Sequence, residues 1–191
     1  MTRLICCCQG GGCGYPSPTF MTTDQELQMP NHITNIITAE PAALAQIFTL
    51  LKSDKQKVDF NKLIPMPADV LATVSKQLNM QEMALTNGRN WYDWCAKEWN
   101  TKWNAYDIDV SPNAINFDTA WACPEPVMRK LHQMLPYIDW EWSYADEDIG
   151  HNCGTWKKVG GTLAHIEPSD PARFGCEIKG HDHDEYMAEG L

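Results

Sequence analysis

The sequence predicts an α+β domain in which an antiparallel sheet carries two packing helices. Three observations carry that expectation. Short segments alternate apolar and polar residues with period two, as half-buried strands do. Two longer segments, each introduced by proline, repeat apolar residues at the helical period. The two kinds of segment interleave, strand–helix–strand twice over. A chain of 191 residues, 43% of them hydrophobic, suits one domain with appendages.

The elements follow in order. Residues 1–28 ("CCCQGGGCGYPSPTFMTTDQELQ" at their heart) are rich in Gly and Cys, then in turn residues, and show no apolar period. They read as a leader outside the domain, and either Met1 or Met29 serves as a start. "MPNHITNIITAE" changes character, and 32–39 reads as a strand apolar on both faces. Pro41 opens a helix over 41–53, with Leu44, Ile47, Phe48 and Leu51 on one face. "KVDFNKLIPMP" reads as a strand over 57–64, stopped by Pro65 and Pro67. Residues 68–104 read as mainly helical, broken near Asn87-Gly88.

The period then returns to two. Strands are expected over 105–110 and 114–121, joined by the turn "SPN". A helix over 124–136 presents Val127, Leu131, Met134, Leu135 and, just beyond, Ile138. "DWEWSY" (139–144) is a strand with Trp140, Trp142 and Tyr144 on one side. "TWKKVGGTLAHI" (155–166) is a hairpin about Gly160-Gly161. The order gives the ferredoxin-like arrangement, with a helical insertion at 68–104 between its two halves. The domain spans 29–167, and 168–191 forms an acidic tail.

Charge and cysteine usage narrow the function classes. The net charge of −10 is concentrated at the C-terminus, where "HDHDEYMAEGL" carries four acids and no Lys or Arg. No block of clustered Lys and Arg is present, which disfavours nucleic-acid tracking and anionic membranes. No apolar run reaches membrane-spanning length, and "MTRLIC" is too short for a signal-peptide core. The chain is therefore read as cytoplasmic with reduced thiols.

"NWYDWCAKEWNTKWNAYDIDV" holds four of the eight tryptophans. On a helix, Trp91, Cys95, Trp99 and Trp103 would form one apolar stripe with Trp94 on its flank. Packing of the insertion onto the sheet explains that stripe better than a ligand cage.

The joined motifs "MPNHITNIIT", "DFNKLIPMP", "NWYDWCAKEWNTKWNAYDIDV", "FDTAWACPEPVM" and "EWSYADEDIGHNCGTW" resemble the YubB ferredoxin-like domain family over about residues 29–165. The resemblance implies a ferredoxin-like fold and an origin in phages, prophages or conjugative plasmids. It brings no catalytic residues with it, and the leader and acidic tail fall outside it.

Candidate chemistry is sparse. Cys8 and Cys13 have a spacing permitted for half a zinc site, but Cys6 and Cys7 supply no second half. His181 and His183 with their flanking acids are more typical of a solvated tract. No metal and no cofactor is expected. The carboxylates Asp107, Asp109, Asp146 and Asp148, with Asp118 near the first two, are the residues an Mg²⁺-dependent phosphoryl-transfer hydrolase would use. No nucleophile–base pair, phosphate loop or H-E-x-x-H accompanies them. The alternative is an acidic docking surface of Asp146, Glu147, Asp148 and His151, with Trp94, set in a loop expected to be exposed. The leading expectation is a protein-binding module of a phage or mobile element that modulates a host nucleic-acid or defence enzyme. The hydrolase comes second, and RNA binding through the open sheet third.

Overall fold

A computed structural model describes residues 31–189 apart from Gln77 and Gly160. The cysteines of the leader, Cys6, Cys7, Cys8 and Cys13, lie outside the described residues. Strand β1 (His32–Ala39) leads through Glu40 into helix α1 (Pro41–Leu51). Strands β2 (Tyr106–Val110) and β3 (Ala114–Ala120) form a hairpin, followed by the helix α5 (Glu125–Met134) and β4 (Trp140–Asp146). Strands β5 (Gly154–Val159) and β6 (Thr162–Ile166) form the second hairpin. The sheet order is β2-β3-β1-β4-β5-β6, with every pairing antiparallel. Its first four strands, in the order 2-3-1-4 with α1 and α5 as crossovers, are the ferredoxin-like arrangement. The β5–β6 hairpin extends the sheet beyond β4.

Two sequence expectations are corrected by this topology. Residues 57–64 form no strand, only a short 3₁₀ turn at Phe60–Lys62. Val58, Asp59 and Phe60 are all buried, so alternation fails there. The backbone groups of this stretch find side-chain partners instead of a neighbouring strand. Phe60 N–H donates to Asn104 Oδ1 (2.9 Å), and Asp59 Oδ1 accepts from Asn61 N–H (3.0 Å) and Asn104 Nδ2 (2.8 Å). The second strand of the first half is therefore β2. The insertion runs from Lys52 to Ala105 inside that half, between α1 and β2, rather than between the halves.

The insertion is a chain of short elements. It contains α2 (Ala68–Leu71), α3 (Met80–Ala84) and α4 (Trp91–Glu98). Asn90 caps α4 by accepting from Asp93 N–H (2.9 Å). The helix ends at Trp99 because Asn100 adopts a left-handed conformation (φ 64°). Trp103 is thus off the helix, and the continuous stripe expected from the sequence does not form. Cys95 and Trp99 are its buried members. The Trp99 ring meets Phe60 and Trp94 edge-on, and its Nε1 donates to the Ile64 carbonyl (3.0 Å). Trp91, Trp94 and Trp103 are half-buried.

One face of the sheet holds the core. Ile33 and Ile37 of β1, Ile115 and Phe117 of β3, and Trp140 and Trp142 of β4 meet Leu44, Ile47 and Leu51 of α1 and Val127, Met128 and Leu131 of α5. Met134, expected on the inner face of α5, is exposed at the helix end, and Met128 packs instead. At the centre of the core sits a buried amide. Asn35 accepts from Trp142 Nε1 (3.1 Å) and donates to Thr119 Oγ1 (2.9 Å) and its neighbour Ile33's carbonyl (2.9 Å).

The residues expected to form an acidic tail are helical. Helix α6 (Pro171–Lys179) starts at Asp170, whose side chain accepts from Arg173 N–H (3.0 Å), and α7 (His183–Glu189) follows. Cys176 on α6 is fully buried, and α6 packs on β4 and β1. Sequence periodicity over nine residues was too short to show this. Among the described residues, no helix is long and apolar enough to cross a membrane.

Two stability predictions follow from these contacts. Trp99→Ala should lower unfolding free energy by about 3–5 kcal/mol in urea titration, because its cavity lies under the insertion. Asn35→Ala should cost about 1–3 kcal/mol, since Trp142 Nε1 and Thr119 are left without their partner. A loss below about 0.5 kcal/mol for Asn35→Ala would remove the amide from any role in fixing the strands.

Candidate functional site

The acids proposed from the sequence are not gathered by the fold. On β2 the register slips between Tyr106, opposite Asp118, and Asp109, opposite Asn116. Asp107 sits at the bulge with φ 47°, and both it and Asp109 are exposed. The slip has a packing reason. It places Ile108 against the core, where strict alternation would have set Asp107 opposite Phe117. Among the described residues, no group of three His, Cys, Asp or Glu side chains is arranged to hold a metal ion. His181 stacks on Tyr186, and His183 Nδ1 lies 3.1 Å from Asp184.

The loop after β4 divides the remaining candidates. Asp146 was expected to be exposed and is buried, as the last residue of β4. Its carboxylate accepts from Asn31 Nδ2 (3.1 Å), Asn152 Nδ2 (3.0 Å) and Asp148 N–H (3.1 Å). It shapes the loop and offers no free oxygen to a partner. Glu147, Asp148 and His151 are exposed, with His151 Nδ1 3.4 Å from Asp148. Trp94 is half-buried, and its ring and that of Trp99 meet at near right angles with centroids 5.0 Å apart.

The question of a cation cage has a structural answer. The ammonium of Lys102 sits over the rings of Trp103 (4.8 Å) and Trp121 (5.0 Å). Lys102 is 7% exposed, and burial holds its pKa below the usual lysine value. The protein's own cation occupies that aromatic pair. A second polar group fastens α6. Lys179 Nζ donates to the His32 carbonyl (2.7 Å), with Asp118, Glu147 and Asp146 contributing favourable charge. Asp118, raised above the usual carboxylate range by burial, accepts from Thr34 Oγ1 (2.9 Å). Beside it Tyr106 OH meets His32 Nδ1 at 2.8 Å. These groups are spent on holding β1, β2, β3 and α6 together.

A cleft of about 310 Å³ opens between the loop after β4 and the turn after β6. Tyr144, Asn152, Cys153, His165 and Glu167 line it. The His165 ring lies between Trp156 (5.0 Å) and Tyr144 (5.9 Å), and its Nε2 meets the Tyr144 hydroxyl at 2.9 Å. Gly154 makes this possible, because a Cβ there would sit 2.3 Å from His165 Nε2. Burial raises the Tyr144 phenol and the Cys153 thiol, so neither is an activated nucleophile. Sequence reasoning missed this cleft. Its signal was the placement of His165 two residues from Leu163, on the inward side of the hairpin. A groove of about 360 Å³ at the other end of the sheet is larger, but its lysines face its acids. Lys157 lies 3.3 Å from Glu141 and Lys158 3.6 Å from Asp139.

The two sheet edges differ. β2 is bulged and carries Asp107 and Asp109, both exposed. β6, "TLAHI", contains no Lys, Arg, Asp, Glu or Pro, and its pairing with β5 runs without interruption. Val159 (53% exposed) and Ile166 (38%) leave apolar surface beside it.

Residues 98–187 match a family model described as the ferredoxin-like domain in Api92-like proteins. The match begins at the end of α4, covers β2 through α6 and ends within α7, so it includes the C-terminal helices that the sequence reading had set outside the domain. No curated protein and no solved structure is significantly similar to the chain. The family model makes this segment similar to a ferredoxin-like domain, and β1 and α1, outside the matched residues, complete the strand order.

Proposed function

We propose that this is a protein-binding module that takes an extended segment of a partner onto the open edge of β6. The observation that carries the reading is the contrast between the edges. Proteins blunt exposed strands with bulges, charges or proline, because unpaired N–H and C=O groups template further pairing. β2 has a bulge and two acids, whereas β6 has none of these devices. Strand addition gives affinity through main-chain hydrogen bonds and needs little side-chain grammar. That fits a chain with no catalytic grammar.

The exposed Glu147, Asp148 and His151 would then act as rim groups near the end of the sheet. The YubB likeness supplies a setting, an accessory protein of a phage or mobile element acting on a host nucleic-acid or defence enzyme. RNA binding through the second sheet face is less well supported. Phe117, Trp140, Trp142, Tyr144 and Trp156 all point to the helix-covered face, leaving Thr38, Asn116, Ser143 and Thr155 on the other. Those residues offer no rings for base stacking, and the rings that the register does put on that face, Tyr106 and His32, are hydrogen-bonded to each other (2.8 Å).

The test is hydrogen exchange on the chain bound to a partner captured by cross-linking from host lysate. Alternate amides of β6 should gain protection, and protection confined to the insertion or the second face would sink the proposal. Neutralising Glu147 and Asp148 together should slow association with a cationic partner roughly threefold or more at low salt and flatten the salt dependence. Magnesium-dependent hydrolysis of nucleotides or nucleic acid that vanishes in Asp148→Asn would instead establish the hydrolase.

A further inference from the structure

We infer that the cleft at the end of β6 reads one side chain of the added segment, and that this side chain is a cation, Arg or Lys. The inference rests on strand addition at β6 and deepens it by naming what the partner must carry. In strand addition the edge supplies affinity, and pockets beside it supply specificity. β6 is the outermost strand in the sheet order, and its penultimate residue His165 and the following Glu167 form walls of the cleft. A strand paired with β6 therefore runs past the cleft mouth.

The ligand class follows from which polar groups remain. Most of the donors lining the cleft are spent within the protein. Both bonds from Asn152 Nδ2 go inward, to Asp146 Oδ2 (3.0 Å) and the Trp121 carbonyl (3.3 Å). Cys153 Sγ points its hydrogen at the Pro171 carbonyl (3.8 Å). Tyr144 and His165 share a hydrogen bond. What is left faces outward as acceptors: the Glu167 carboxylate, which is exposed and has no salt-bridge partner among the described residues, and the Asn152 amide oxygen. An anion would meet the Glu167 carboxylate, and an apolar side chain would cover that carboxylate without a partner. A guanidinium or ammonium supplies donors and charge together. The net charge of −10 favours the same sign.

Random heptapeptides displayed on phage would be selected on the full chain and then measured as free peptides by fluorescence polarisation, with hydrogen exchange on each complex. Peptides that protect β6 amides should carry Arg or Lys at a fixed position. Changing that residue to Gln should weaken binding about tenfold or more, and Glu167→Gln should shrink this difference to about threefold or less. Peptides that protect β6 without any basic preference would overturn the cleft inference and leave strand addition standing. Binding that protects no β6 amide, or no enrichment at all, would overturn strand addition and this inference with it.

Discussion

The fold depends on one buried amide. Asn35 lies at the middle of the central strand, wholly buried, and bonds to residues of both flanking strands. Thr119 passes the network on, donating to the Ala122 carbonyl (2.8 Å) where β3 turns towards α5. A polar group in such a core is tolerated only when it is satisfied, and only one alignment of β3, β1 and β4 satisfies this one. Slipping either neighbour by a residue would turn its apolar set outward and strand the amide as well. β1 carries the apolar Ile36 on its outer face and the polar Asn35 on its inner one, so hydrophobic patterning alone specifies its register less sharply than strict alternation would. The amide supplies what the pattern lacks.

With the central register fixed, several charged and polar residues serve as joints of the fold. Asp59 and Asn104 tie the start of the insertion to its end and replace the backbone bonds of a strand. Asp146 gathers Asn31, Asn152 and the Asp148 amide, and so sets the loop that walls the cleft. Asp107 is expelled by a bulge so that Ile108 can pack. In each case a residue with the chemistry of a catalytic site is used to satisfy backbone or to direct a turn. Carboxylate spacing along the chain does not record these structural roles.

The parts legible in the sequence were those with a strong local period. β1, α1, the β2–β3 hairpin, β4 with its inward tryptophans and the β5–β6 hairpin all follow from alternation or helical spacing together with proline or glycine punctuation. "KVDFNKL" misled because its apolar residues are buried by tertiary contacts from Asn104, more than forty residues away, which no local pattern records. α6 was missed because its burial rests on small residues, Gly175 and Cys176, and on a single lysine anchor. The cleft was missed for a related reason. It joins Tyr144, Asn152, His165 and Glu167 across three segments, and only the sheet brings them side by side.

A free edge strand needs some defence against pairing with copies of itself. Bulge and charge protect β2, but β6 lacks both. The remaining protection is the charge of the whole molecule. Two copies approaching edge to edge each carry −10, so their long-range interaction is repulsive at ordinary ionic strength. A cationic partner experiences the opposite sign of the same field. On the proposed strand addition, this acidity keeps β6 from pairing with copies of itself while leaving it available to a segment of the right charge.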